Sequence, residues 1–337
     1  GTNSRMVLEI TTAGTYYVSA GSYGGSYAGD YSLQISARER PDFWAMDEIA
    51  GQLTDGFWEW RGESRRAFDV GDDGQITVDL SGLTAAGQTL AETALAAWEA
   101  VTGIRFVRAT GGTAEITFDD SENGAYSTSQ VFGGTIASSQ VNVGLDWLQA
   151  YGTGFDTYSY QTYIHEIGHA LGLGHAGNYN GSATYGVNEL YPNDSWQATI
   201  MSYFSQTDNT AINASYAFVT SAMMADILAM QSLYGVTSIR TGNNTYGEQT
   251  NAGTAYSLIA NMLSNRSQYE DITFTVFDQG GIDRLDLRSD SSDQRVNLAG
   301  GGISSAYGLI GNISIAEGTI IEELLTGSGS DYVLGNS

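Results

Sequence analysis

Residues 165–175 read HEIGHALGLGH and hold all 3 histidines of a 337-residue chain. Three copies of so rare a residue in one short stretch point to a shared metal or catalytic task. His165 and His169 stand at i and i+4, so a helix presents both imidazoles to one point. Glu166, just after the first, can reach a water on a metal held there and take its proton. Gly172 and Gly174 break the helix, and His175 then approaches from another direction. Three neutral imidazoles leave a fourth tetrahedral position for water, the layout of one catalytic rather than structural zinc ion. A lone HExxH occurs by chance in many helices, and Glu166 alone would read as a solvated helix residue. The third histidine, set between glycines, decides for zinc.

HExxHxxGxxH is the metzincin signature, and this chain resembles a metzincin. Residues 199–204 read TIMSYF, which places Met201 at the methionine turn under the zinc and implies a structural, packing role for it. Tyr203 matches the tyrosine that serralysins and astacins use as an extra zinc ligand. The resemblance implies that it leaves the metal and hydrogen-bonds the oxyanion during turnover. DEIAGQLT, ITFDDSENGAYSTS, YIHEIGHALGLGHAGNYNG and MSYFSQTDN are similar to segments of the serralysins, the bacterial M10 peptidases. A matrixin would lack Tyr203, and an astacin would carry cysteines, of which there are 0.

The same resemblance extends past Gly235. Thr326–Leu334 fits the calcium-binding nonapeptide G-G-x-G-x-D-x-U-x except for threonine at the first glycine. SIRTGNNTYG, VFDQGGIDRLDL and NISIAEGTIIEELLTGSGSD resemble segments that cap a calcium-binding β-roll. The implied structural Ca²⁺ ligands are the backbone carbonyls of Arg240 and Gly242, then Asn244, Asp278, Gly280, Gly281, Asp283, Glu322, Gly327, Gly329 and Asp331. The family carries several consecutive nonapeptides and this chain shows one, so the roll is expected to be cut short.

These side chains need elements to position them. Phe43 to Trp60 has helical spacing through Trp44, Ile49, Leu53 and Phe57. Arg66–Val70 and Gln75–Leu80 read as strands joined as a hairpin by Gly71-Asp72-Asp73-Gly74. Thr84 to Thr102 reads as a helix that Gly103 ends. Strands follow at Ile104–Val107 and Ala114–Phe118, with one or two more inside Gly124–Val143. The histidine helix is expected from near Ser159, a polar loop over 177–199, and a last helix from about Thr220 to Tyr234. Helical periodicity then disappears. Asp271–Phe277, Arg284–Leu287, Arg295–Leu298 and Ile313–Ala316 read as short strands of an all-β domain. A substrate lying extended should add to an exposed edge, and Gly124-Ala125-Tyr126-Ser127 is the candidate edge.

Residues 1–36 lack the charged start and apolar stretch of a signal peptide and read as short strands. GTYYVSAGSYGGSYAGDYSLQI is similar to the end of bacterial pre-peptidase β-sandwich modules. Composition narrows the function. The 38 acidic residues face 13 basic ones, for a net charge of −25, which argues against nucleic acid and anionic membranes as partners. The same acidity fits folding that waits for external calcium, or solubility alone. The expectation is an α+β protein, a zincin catalytic domain followed by a parallel β-roll: a leader remnant with linker at 1–41, the catalytic domain at 42–235 and the calcium domain at 236–337. The expected function is a secreted, extracellular, monomeric zinc endopeptidase acting on proteins or peptides. The alternative is a calcium-dependent adhesion protein with an inactive or latent zincin domain.

Overall fold

Ile49, Leu53 and Phe57 recur every four residues, and all three are buried. They form the inner stripe of α1 (Met46–Gly51), one π turn (Gln52–Gly56) and α2 (Phe57–Trp60). The computed structural model describes residues 15–17, 42–109, 113–236 and 238–336. The short strands expected over residues 1–36 lie outside the described residues, apart from 15–17, which form no strand. The chain divides into two units, Gly1–Asp42 and Phe43–Ser337, and everything below concerns the second.

A mostly parallel sheet is its frame. The strands are β1 (Ala67–Phe68), β2 (Gln75–Gly82), β3 (Arg105–Arg108), β4 (Ile116–Asp119), β5 (Ala125–Phe132) and β6 (Thr135–Val143). Their order is β1-β6-β4-β2-β3, with β5 antiparallel on β6. The hairpin expected at Gly71–Gly74 does not form: β1 pairs with β6, and β2 pairs with β3 and β4, all in parallel. Alternate residues Ile76, Val78 and Leu80 are fully buried, which suits a central strand better than one arm of a ribbon. Helix α3 (Ala85–Thr102) makes the crossover from β2 to β3. Thr84 caps its start by accepting from the Gly87 N–H, and Gly103 ends it at φ 72°. Leu90, Ala94, Trp98 and Val101 form its buried face.

Two further helices frame the histidines. Helix α4 (Leu145–Tyr151) escapes the sequence reading because only Leu148 in it is buried, too little for a period. Helix α5 (Tyr158–Ala170) carries His165 and His169 and is capped by Thr157. The last catalytic-side helix, α6, covers Met224–Tyr234. It starts later than Thr220 because β7 (Phe218–Val219) pairs with a strand of the C-terminal half, and the Thr220 N–H continues that ladder to the Thr273 carbonyl.

Beyond Gly235 the chain coils in parallel. Strands β8 (Thr245–Gly247), β10 (Arg284–Asp286) and β14 (Glu323–Leu325) stack in one ladder. Strands β11 (Arg295–Asn297) and β15 (Tyr332–Leu334) form another, and β9 (Ile272–Val276) pairs with β13 (Ile313–Ile315), which also takes β12 (Ile303–Ser304). Partners one coil apart are 39 residues apart in the first ladder, as Asn244 to Asp283 and Asp283 to Glu322, and 37 apart between β11 and β15. One helix, α7 (Thr254–Ser264), interrupts the strands. Its inward residues Tyr256, Ile259, Met262 and Leu263 are spaced for a helix, a signal hidden between glycine-rich turns. Two hydrophobic cores fill the unit, and Phe277 and Ala316 of the C-terminal half pack into the first.

Candidate metal centre

Helix α5 ends where the motif needs it to. Gly172 sits at φ +110°, and a Cβ there would stand 2.2 Å from the Arg66 carbonyl oxygen. Only glycine permits both the turn and that approach. A Cβ on Gly174 would fall 2.3 Å from the Phe57 ring. The chain thus reverses tightly, and His175 comes back against Phe57, with ring centroids 5.0 Å apart.

The three imidazoles converge. Their ligand atoms lie within 4.8 Å of one another, and among the described residues no other group of three or more His, Asp or Glu does so. Two of the three outer nitrogens are already committed. His165 Nδ1 donates to the Ile200 carbonyl at 2.9 Å, and His169 Nδ1 to the Leu173 carbonyl at 2.8 Å. Those bonds select the tautomer whose Nε2 lone pair faces inward. His175 Nδ1 is buried with only the Tyr179 backbone near it, outside full hydrogen-bond geometry. His169 Nε2 and His175 Nε2 stand 3.0 Å apart. Nitrogens about 2.0–2.1 Å from a tetrahedral zinc would be roughly 3.3 Å from each other, so the donor set fits that ion. Burial holds His165 down at about 4, and burial with the neighbouring histidines holds His169 at about 3 and His175 well below the imidazole range. Neutral imidazole is the ligating form.

Glu166 is buried, and its Oε2 has no hydrogen-bond partner. Burial pushes its carboxyl up to about 8. An orphaned carboxylate oxygen beside three converging imidazoles is positioned for proton transfer. The Tyr203 ring lies 4.5 Å from that of His175, and its hydroxyl accepts from the Gly181 N–H at 3.2 Å. Met201 is fully buried beneath the helix. A Cβ on Gly168 would stand 2.7 Å from the Met201 sulfur and 3.1 Å from Trp98, so the glycine inside HEIGH makes room for the methionine.

Two buried aspartates that the sequence reading leaves out support this site. Asp226 accepts from the Thr199 hydroxyl and from the Ile200 and Met223 N–H groups, at 2.9 and 2.8 Å for the latter two. It thereby holds Ile200, whose carbonyl orients His165. Asp194 accepts from Tyr179 and Ser202. Burial pushes both carboxyls up to about 7. The sequence signal was slight: an aspartate at the third position of an apolar helix, and one inside a polar loop.

Strand β5 lies outside β6 and, among the described residues, pairs with no other strand, so Ala125, Tyr126 and Ser127 sit on an edge. Gly124 does not belong to a free edge. Its N–H donates to the Asp146 carboxylate, and its carbonyl accepts from the Gly144 N–H and the Asn142 amide. With 124 bonded to 144, the antiparallel alternation turns the main-chain groups of Ala125 and Ser127 outward. The Tyr126 hydroxyl donates to Glu122.

The expected calcium positions fall in two places. In the first, Asp283 Oδ1 accepts from the Asn244 N–H at 2.6 Å, and Glu322 accepts from the Asp283 N–H at 2.7 Å. Asp278 accepts from the Gly280 N–H and the Tyr246 hydroxyl. Gly281 runs so close to Gly242 that a Cβ would stand 2.5 Å from the Gly242 oxygen. Asp283 Oδ2 and Asn244 Oδ1 are buried and unpartnered. Burial first, then the neighbouring Asp278 and Glu322, pushes the Asp283 carboxyl up to about 6. Arg240 holds φ 51°, and its guanidinium bonds the Phe277 and Ala100 carbonyls. In the second place, Gly327 packs on the Asp290 carbonyl, Gly329 on that of Ser292, and Asp331 accepts from the Gln294 N–H at 3.0 Å.

Comparison with known proteins agrees with this geometry. The family model for the peptidase M10 serralysin C terminus matches residues 236–337. That for the reprolysin-like metallopeptidases of family M12B matches residues 83–229. Metallopeptidase AprA of Pseudomonas marginalis is 31% identical over 372 residues, covering 99% of this chain and 73% of that protein. Metalloprotease AprA of Pseudomonas entomophila is 30% identical, covering 98% of this chain and 72% of that protein. Serralysin C of Dickeya chrysanthemi is 39% identical over 186 residues, 54% of this chain and 37% of that protein. On this similarity along almost its whole length, joined to three converging histidines beside an unpartnered glutamate, the chain belongs to the serralysin family of metallopeptidases.

Proposed function

We propose that this zinc metalloendopeptidase cuts extended protein segments with Glu166 as general base, using residues 42–235 for catalysis and 236–337 for calcium binding. The observation that carries the reading is the buried, unpartnered Glu166 Oε2 next to three converging imidazoles, two of which, His165 and His169, are turned inward by their Nδ1 bonds. His165, His169 and His175 would hold zinc, with the Tyr203 phenol as an extra ligand at rest. The ion, when bound, lowers the pKa of a water and polarises the scissile carbonyl. Glu166 takes the proton of the attacking water and passes it to the leaving amine. One carboxyl can serve both tasks, taking the proton in one step and returning it in the next. The Tyr203 phenol gives up its Gly181 contact and donates to the developing oxyanion. Ala125 and Ser127 offer main-chain groups to a substrate strand.

The two unpartnered oxygens of Asp283 and Asn244, with Asp278 and Glu322 beside them, support a Ca²⁺ site. Hard oxygen donors at a tight glycine turn are the chemistry that ion selects. Abundant external calcium fits a protein acting outside the cell. Among the described residues no helix is long and apolar enough to cross a membrane.

Glu166→Ala tests the core of this reading. It should keep zinc at one per chain by elemental analysis and lower casein turnover by about 10²–10⁴-fold. Substantial turnover in the zinc-loaded variant would remove Glu166 from the role of base.

A further inference from the structure

Asp194 is fully buried in the loop between His175 and Met201, and Tyr179 beside it is nearly so. The Tyr179 hydroxyl donates to the Asp194 carboxylate, 3.1 Å from each oxygen. The Ser202 hydroxyl donates to the same carboxylate at 2.6 Å and accepts from the Phe204 N–H at 3.0 Å. Tyr179 in turn touches Tyr203 twice. Its hydroxyl oxygen accepts from the Tyr203 N–H at 3.4 Å, and the two rings lie 4.9 Å apart at 33°. The Tyr179 ring also stands 5.7 Å from His175 at 34°. Asp194 therefore reaches Tyr203 in sequence through the Ser202 hydroxyl, which also takes the Phe204 N–H, and in space through the tilted Tyr179 ring. The loop itself is pinned, since Asn209 donates to the Asp194 carbonyl at 2.9 Å.

We propose that Asp194, acting through Tyr179, is a positioning residue that sets the Tyr203 phenol beside the three histidines. The inference rests on the reading that Tyr203 acts at the reacting centre. Burying a carboxylate costs free energy unless donors meet it, and here two hydroxyls do, both leading to Tyr203. A phenol that must move between two stations during a reaction needs a fixed pivot. The Asp194–Tyr179 pair provides one without touching the substrate.

Two variants test it. Tyr179→Phe removes one hydroxyl and keeps the ring, and Asp194→Asn keeps the size and removes the charge. Each should lower kcat about 10-fold or more, the usual cost of losing such support, with KM and zinc content little changed. On a Tyr203→Phe background both losses should collapse to within about twofold, because nothing is left to position. A readout independent of turnover is the protein loaded with copper(II), where a phenolate ligand gives a visible charge-transfer absorption. Tyr203→Phe should abolish that band, and Tyr179→Phe should shift or weaken it. If Tyr203→Phe changes neither kcat nor the band, the reading of Tyr203 fails and the positioning role falls with it. If Tyr203→Phe acts but Tyr179→Phe does not, or if the Tyr179→Phe loss persists in full on the Tyr203→Phe background, the positioning role alone is overturned. Should Asp194→Asn not fold, Tyr179→Phe decides the matter by itself.

Discussion

The histidine site and the carboxylate-rich coil are the two places proposed to hold cations, and they are prepared differently. Around α5, neutral imidazoles already converge within 4.8 Å. Each is steered by a carbonyl or by packing, and each is kept unprotonated by burial. In the coil, Asp278, Asp283 and Glu322 sit near one another but lean on amide and hydroxyl donors. The difference follows from charge. Neutral ligands can be assembled in a core at the cost of desolvation alone, whereas anions also repel and need their counter-ion to close. The first site should therefore lose chemistry but little structure when its metal is removed. The second should lose structure.

Selective chelation is the strongest way to break this contrast. Treatment with 1,10-phenanthroline should abolish proteolysis while leaving the circular dichroism of the chain nearly unchanged. EGTA in zinc-replete buffer should instead lower the melting temperature by about 5 °C, as for an ion that stabilises the folded state by roughly 2.7 kcal/mol at 100 times its Kd. An unchanged melting temperature would show that the coil does not depend on calcium. Asp283→Asn sharpens the same point: it should remove most of the EGTA effect, read by scanning calorimetry with and without chelator.

Smaller effects probe how rigidly the histidine site is built. Gly168→Ala forces a methyl group against Met201 and Trp98. It should cost about 1–3 kcal/mol in denaturant unfolding and weaken zinc retention. A neutral result would show that the methionine turn yields freely. Asp226 gives a signal that depends on pH. Burial raises its carboxyl to about 7 from an ordinary 3.8. The folded state thus holds the proton more tightly, and stability from this group is present below pH 4 and lost as pH rises through 7. Asp226→Asn should flatten that decline in unfolding free energy, whatever it costs at every pH. An identical slope would show that other groups set it.

The sequence carried a good deal of this. The i, i+4 histidines, the glutamate after the first and the glycines that turn the chain are local features, and local features are written in spacing. The helix from Ala85 to Thr102 was legible because Leu90, Ala94, Trp98 and Val101 keep one period and Thr84 and Gly103 mark its ends. Pairing was not legible. The turn at Gly71–Gly74 looked like a hairpin, yet β1 and β2 go to different partners. Gly124 looked like open edge until Asp146 and Gly144 took its main chain. Helix α7 went unseen because glycine-rich turns on either side dominate the local pattern.

What the residues determined by themselves is the chemistry: which ligands exist, at what spacing, and that no thiol competes with them. The tertiary structure decided which long-range partners orient those ligands. Ile200 meets His165 from 35 residues away, Asp226 meets Ile200 from 26, and Asp194 meets Tyr179 from 15. Such contacts carry no sequence period. They arise because buried polar groups must find partners wherever packing brings the chain together.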